Sequence, residues 1–367
     1  MLLAVPLTSA EVRMPDGRDT YASQGYHLQV PLLERQPMSP TIRCRYTHKT
    51  YVIVLVCAAI LVTWSVARFP KHKLWPYDRR TVPQRGAANI FFIETTCAIE
   101  DVPWSGLRPR QACAVESAVR HNPGRPVYVL HTCEAPILGL SLPAGATAVH
   151  VTLEEFLRDT PLYTTLIEYA ALANSAWPVH HASDVMRVIA LWKYGGLYLD
   201  LDFVVLRNLS ELGEDWAGAE DNITVANSAM HMSAQPGSAG QEMAEALIET
   251  LQTDFDGQQW MYNGGGHLTR LLFIRCNVPS VVAMTNCRGF RVLATELLFP
   301  VHYSHWERYF WEEEAEGVLA DARNAYAVHV WNKFSGEADI VPQNSAYGML
   351  ARQNCPDSFS AAEGSFG

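Results

Sequence analysis

The sequence predicts an α/β domain built on a mostly parallel sheet flanked by helices. Three observations carry that expectation. From residue 89 onward, short apolar runs alternate with helix-period stretches, the pattern of strands joined by crossover helices. Segment 183–209 compresses one such unit into a single block: a helical face, a Gly195-Gly196 break and a buried apolar run. That run carries Asp200 and Asp202 at its far end. In open α/β sheets, ligands bind outside the carboxyl ends of the strands.

The elements follow in chain order. Residues 1–50 precede a 17-residue run without formal charge at 51–67, the lower limit for crossing a bilayer. Arg43, Arg45 and Lys49 lie before this run and Arg68, Lys71 and Lys73 after it, so charge alone does not orient it. It begins too far into the chain to be a cleaved signal peptide, and no small-x-small site follows it, so it reads as a signal-anchor. Residues 68–88, rich in proline and charge, read as a stem, 89–355 as the folded domain and 356–367 as a flexible tail. Within the domain, 90–93, Val127–His131 and 148–151 are strand candidates, and 112–120, 153–156 and 164–176 are helical. Ser183 is placed to cap the next helix. Val185, Val188, Ile189 and Trp192 recur at i, i+3, i+4 and i+7 and mark its buried face. Asp184 and Arg187, three apart, share another face near the helix start. Strand 197–203 then points Asp200 and Asp202 to the same side, because strand side chains alternate with period two. A later run, 325–331, is strand-like and carries His329. Glu312 to Glu314 fan out as a solvated helix face.

Composition excludes some functions and permits others. A chain of 367 residues with 49% hydrophobic and only 18% charged residues can bury one large core. A net charge of -10 lacks the basic footprint that nucleic acid requires. Six cysteines follow the apolar run, an even number that suggests disulfides in a secretory compartment. Cys276 and Cys287 are the nearest pair; the other partners are open from sequence. No Cys-x-x-Cys spacing supports zinc. Sequons at Asn208 and Asn222 agree with a secretory location.

Two carboxylates at a strand end suit a hard divalent cation, which prefers oxygen ligands and keeps positions open for water or phosphate. An Asp-x-Asp tripeptide alone is more often a pair of solvated acids; the Asp-x-x-Arg helix, Gly-Gly break and apolar strand around it make the pattern specific. Arg187 is misplaced as a helix-capping cation, since positive charge near a helix start is unfavourable, so the Asp184–Arg187 pair points to a ligand. Asn263, with Gly264 to Gly266, forms a loop candidate beside a ligand, against the plainer reading of a bare turn.

These blocks together resemble the alpha-1,4-glycosyltransferase family, that of the lactosylceramide 4-alpha-galactosyltransferases. The resemblance lies in Phe91-Phe92-Ile93-Glu94-Thr95-Thr96, Cys113-Ala114-Val115-Glu116-Ser117-Ala118, Leu157-Arg158-Asp159-Thr160-Pro161-Leu162 and segment 183–209. It continues through Cys287-Arg288-Gly289 and Tyr326-Ala327-Val328-His329-Val330-Trp331-Asn332-Lys333, so it runs in order from about residue 89 to about 355. The chain departs from the family at Leu201, where threonine is usual, and at Gly265, where proline is usual. The resemblance implies a GT-A-type fold and transfer of galactose or an N-acetylhexosamine from a UDP-sugar, with Mn2+, to a galactose of a lactosylceramide-like glycolipid in alpha-1,4 linkage with retention. It implies Asp200 and Asp202 as catalytic metal-site residues and His329 as the third ligand. Asp184, Arg187, Asn263 and Lys333 are implied on the donor. It also implies a type II Golgi membrane protein, with residues 1–50 cytosolic and 89–355 lumenal. A homodimer is left open. An inactive Golgi-anchored scaffold or lectin of the same fold is the alternative, and the intact acidic and basic set argues against it. A phosphodiesterase would require more clustered ligands than one Asp pair and one histidine.

Overall fold

The computed structural model describes residues 82–86, 88–99, 106–134, 142–336, 341–362 and 366. The expected tail and anchor, and most of the expected stem, lie outside these residues. No helix among the described residues is long and apolar enough to cross a membrane.

In order, the elements are β1 (Ile90–Glu94), α1 (Pro109–His121), β2 (Val127–His131), β3 (Ala146–His150), α2 (Leu153–Leu157), α3 (Pro178–Tyr194), β4 (Gly196–Leu199) and β5 (Phe203–Val205). There follow β6 (Trp216–Ala219), β7 (Val225–Met232), α4 (Ala239–Thr253), α5 (His267–Cys276), β8 (Asn286–Cys287) and β9 (Phe290–Leu293). The chain closes with α6 (Ala315–Asp321), β10 (Ala327–His329), α7 (Asn332–Ser335), α8 (Ala346–Asn354) and α9 (Pro356–Ala361). The sheet runs β3-β2-β1-β4-β7-β6-β9-β8, and β10 pairs separately with β5. The pairs β3/β2, β2/β1, β1/β4 and β6/β9 are parallel; β4/β7, β7/β6 and β8/β9 are antiparallel. Two successive antiparallel steps return β6 to the direction of β4, so β1, β4 and β6 end at one edge.

Both faces of the sheet are covered, and strand alternation divides the core accordingly. Ile90 and Phe92 pack with α1, β5, β10 and the C-terminal helices, whereas Phe91 and Ile93 pack with α3, α4 and α5. Each fully buried side chain of this kind contributes roughly 1.5–3 kcal/mol. Gly195 ends α3 as expected, at φ 71, and Gly196 follows at φ 117 with its Cα against Asn89, where no side chain fits.

Four expectations are corrected. Helix α3 begins at Pro178, not beyond Ser183, because proline at the first position needs no N–H partner. The helix expected at 164–176 is a single turn, Thr164–Glu168; Ala170 takes φ 52, which no right-handed helix accommodates, and Ser175 Oγ accepts a bond from Trp177 N–H at 2.9 Å. The run 197–203 is two strands, because β5 leaves the main sheet to pair with β10. Residues 356–361, expected in a flexible tail, form α9 on the core, with Phe366 buried beside Tyr347.

Among the described residues three disulfides close the fold: Cys97–Cys133, Cys113–Cys355 and Cys276–Cys287, the last as expected. Cys113–Cys355 links α1 to the start of α9 across 242 residues of sequence. Replacing both cysteines by alanine is expected to cost about 2–5 kcal/mol, read as a lowered denaturation midpoint. Unchanged stability would mean that this loop is not closed.

Candidate functional site

A cavity of about 620 Å³ opens at the edge where β1, β4 and β6 end. Its wall includes Asp184, Arg187, Asp200, Asp202, His329 and Lys333. Asp200 and Asp202 sit in the turn between β4 and β5, closed by a bond from Phe203 N–H to the Asp200 carbonyl at 3.3 Å. His329 is the last residue of β10 and stands opposite Phe203 in the ladder. The turn therefore does what strand alternation was expected to do: ligand atoms of Asp200, Asp202 and His329 all lie within 4.8 Å of one another.

Arg187 organises the carboxylates. Its guanidinium lies 3.0 Å from Asp200 Oδ1 and 3.3 Å from Asp184 Oδ1, stacks over the Tyr198 ring, and donates to the Ser183 hydroxyl at 2.9 Å and the Asn227 carbonyl at 3.1 Å. Ser183 is thus a mid-helix partner of Arg187 and caps nothing. Tyr198 O–H donates to Asp200 Oδ1 at 2.5 Å, and the Asn227 amide donates to Asp184 Oδ1 at 2.7 Å. Burial alone would lower the Arg187 pKa, but Asp200, Tyr198 and Asp184 raise it well above its ordinary value. Burial likewise lifts Asp200 above the carboxylate range despite Arg187. Asp202 is held below that range, because His329 and the Asn332 N–H, 2.8 Å from Oδ2, outweigh burial.

The donor set fits a divalent cation. Both His329 ring nitrogens are buried and lack a hydrogen bond, although Nε2 lies 3.0 Å from Asp202 Oδ1. A carboxylate pair beside such an imidazole suits Mn2+. Phe203, Phe299 and Trp331 surround the ring, with Trp331 at 4.2 Å between centroids. Trp331 adopts φ 56, an uncommon conformation for a bulky residue, and so turns the following N–H onto Asp202.

Lys333 reaches the cavity with its ammonium 5.1 Å from the Trp177 ring and 5.3 Å from the Trp260 ring. Asn263 does not. Its amide is buried in bonds to the Asp256 backbone, at 2.9 and 2.7 Å, because that residue clamps its own loop. The glycines beside it line the wall instead. A Cβ on Gly264 would meet the Asn227 amide and stand 2.7 Å from Asp184 Oδ1. Gly264→Ala is therefore expected to raise the donor KM about tenfold while the domain stays folded, which kinetics with melting curves would check. An unchanged donor KM would detach this loop from the donor.

Sequence reasoning missed Tyr198, Asn227 and Glu220. Tyr198 is hidden within an apolar strand. Asn227 left a signal as a polar residue inside the buried run of β7. Glu220 left another, as a carboxylate just past the end of β6 on the cavity wall. Burial pushes its carboxyl up to about 7, with His329, Asp221 and Asp200 facing it.

Residues 237–362 match the Alpha 1,4-glycosyltransferase conserved region, and residues 108–222 match the glycosyltransferase sugar-binding region containing the DXD motif. Lactosylceramide 4-alpha-galactosyltransferase of Rattus norvegicus is 30% identical over 329 residues, covering 83% of this chain and 86% of the relative. Alpha-1,4-N-acetylglucosaminyltransferase of Homo sapiens is 26% identical over 266 residues, covering 68% and 74%. A solved galactosyltransferase, LgtC in complex with donor and acceptor sugar analogs, aligns at 14% identity and a TM-score of 0.38, covering 74% of this chain and 95% of that one. With the Asp-x-Asp turn inside one matched region and the His329 block inside the other, the chain belongs to the alpha-1,4-glycosyltransferase family and is a hexosyltransferase.

Proposed function

We propose that this enzyme transfers galactose or an N-acetylhexosamine from a UDP-sugar to a galactose of a lactosylceramide-like glycolipid, in alpha-1,4 linkage with retention. The observation that carries the reading is the convergence of Asp200, Asp202 and His329 beside the Arg187 network in one cavity. Asp202, His329 and Asp200 would hold the cation. A bound Mn2+ supplies Lewis-acid stabilisation of the negative charge that develops on the leaving diphosphate. Lys333 adds positive charge to the same wall. Asp184 is held by Asn227 and Arg187, so its remaining acceptor capacity fixes donor-sugar hydroxyls. The names of the relatives above, a lactosylceramide galactosyltransferase and an N-acetylglucosaminyltransferase, support the linkage and the acceptor class.

Residues 51–67 anchor the chain in the Golgi membrane in this reading, with the catalytic domain lumenal. The sequon at Asn222 is exposed just before β7, as glycosylation on that side of the membrane requires. The full chain in detergent is offered UDP-galactose, UDP-GalNAc and UDP-GlcNAc with lactosylceramide, with and without Mn2+. The expected product is an alpha-1,4-linked trisaccharide lipid formed only with the cation. Binding without transfer or UDP-sugar hydrolysis would favour an inactive scaffold.

A further inference from the structure

We propose that Tyr303, Phe334 and Glu220 form the subsite for the acceptor hexopyranose. The proposal rests on the transferase reading above and deepens it. Tyr303 and Phe334 both line the cavity, and their rings stack at 5.8 Å and 18°. They are 37% and 41% exposed, so the pair presents an apolar face to water at the mouth of a polar site. Apolar area left wet in this way is covered when the C–H face of a pyranose lies on it. The platform is joined to the catalytic centre. Tyr303 packs edge-on against Trp331 at 6.0 Å, and Trp331 packs against His329.

Glu220 stands on the same wall. The His302 ring lies 4.1 Å from Tyr303, and its Nε2 lies 3.5 Å from a carboxylate oxygen of Asp221, the neighbour of Glu220. Asp221 accepts bonds from Ile223 and Thr224 N–H at 2.8 and 2.7 Å and is spent on its own turn. The Glu220 carboxyl makes no hydrogen bond or ion pair with any described residue and its oxygens stay open to the cavity, so it is free to accept from ring hydroxyls. A hexopyranose offers both an apolar face and ring hydroxyls. An anionic bilayer surface does not suit a wall carrying two carboxylates. Strand order places Glu220 beyond β4 on the side away from β1, leaving the β1 edge, with Glu94 and Gln111, to the nucleotide.

The test uses the full chain in detergent with octyl β-lactoside as probe, in the presence of UDP and Mn2+. Glu220→Ala is expected to weaken lactoside binding about tenfold, and Tyr303→Ala and Phe334→Ala about fivefold each. Glu220→Gln, which keeps an acceptor oxygen, recovers part of the loss. UDP affinity stays within about twofold in the Tyr303 and Phe334 variants, which remove no charge facing Asp200, Asp202 or His329. Unchanged lactoside affinity in these variants overturns the subsite, as does failure of the wild type to bind lactoside. Reduced binding of the variants to neutral vesicles with lactoside affinity intact also overturns it, in favour of a lipid-docking face. Lactoside binding at this wall without transfer by the wild type would instead defeat the transferase reading while upholding the subsite.

Discussion

Asp202→Asn is expected to lower kcat/KM at least about a hundredfold, a loss of about 2.7 kcal/mol of transition-state stabilisation. The reason is specific to the charge. An asparagine oxygen can still accept the Asn332 N–H now held at 2.8 Å, so the turn between β4 and β5 keeps its shape. What disappears is the anionic ligand 3.0 Å from the His329 imidazole. Manganese titration followed by donor hydrolysis separates these effects: cation stimulation should vanish while the melting temperature moves by a few degrees. Wild-type stimulation in this variant would remove Asp202 from the metal site.

Arg187→Ala should be the most damaging change to the fold of the site. Arg187 is 6% exposed, and its guanidinium is the cation shared by Asp184 and Asp200. Removing it leaves the buried Asp184 and the half-buried Asp200 without their shared cation, at a cost of about 3 kcal/mol, the lower end for a buried pair. Arg187→Lys is expected to restore little, because one ammonium cannot reach Asp200, Asp184, Ser183 and the Asn227 carbonyl together. Chemical denaturation and donor KM should both worsen in the alanine variant. A variant with wild-type stability and donor use would refute the network.

The candidate site residues were legible because each lies in a short local pattern. Asp200, Asp202, His329 and the buried face of α3 were read from spacing and resemblance, and the structure brings the first three together. The local geometry was less legible. A strand rule predicted that the two aspartates share a side; they do so through a turn, set by the pairing of β5 with the distant β10. Ser183 resembled a cap because its capping chemistry is local, whereas its actual partner, Arg187, is chosen by the packing of Tyr198 and Asn227 around it. Asn263 resembled a ligand-facing amide, but its bonds close its own loop. The short C-terminal helix was missed for the opposite reason. Pro356–Ala361 has little apolar periodicity of its own and is fixed by bonds from Asp357 and Ser358 N–H to Glu116, and by the Cys113–Cys355 link to α1.

Crystals grown with UDP and manganese, with anomalous scattering recorded at the manganese edge, test the metal assignment most directly. One peak bridging the Asp202 carboxylate, His329 and the UDP diphosphate is the predicted result. Nucleotide bound in the cavity with manganese elsewhere, or with none, would contradict it.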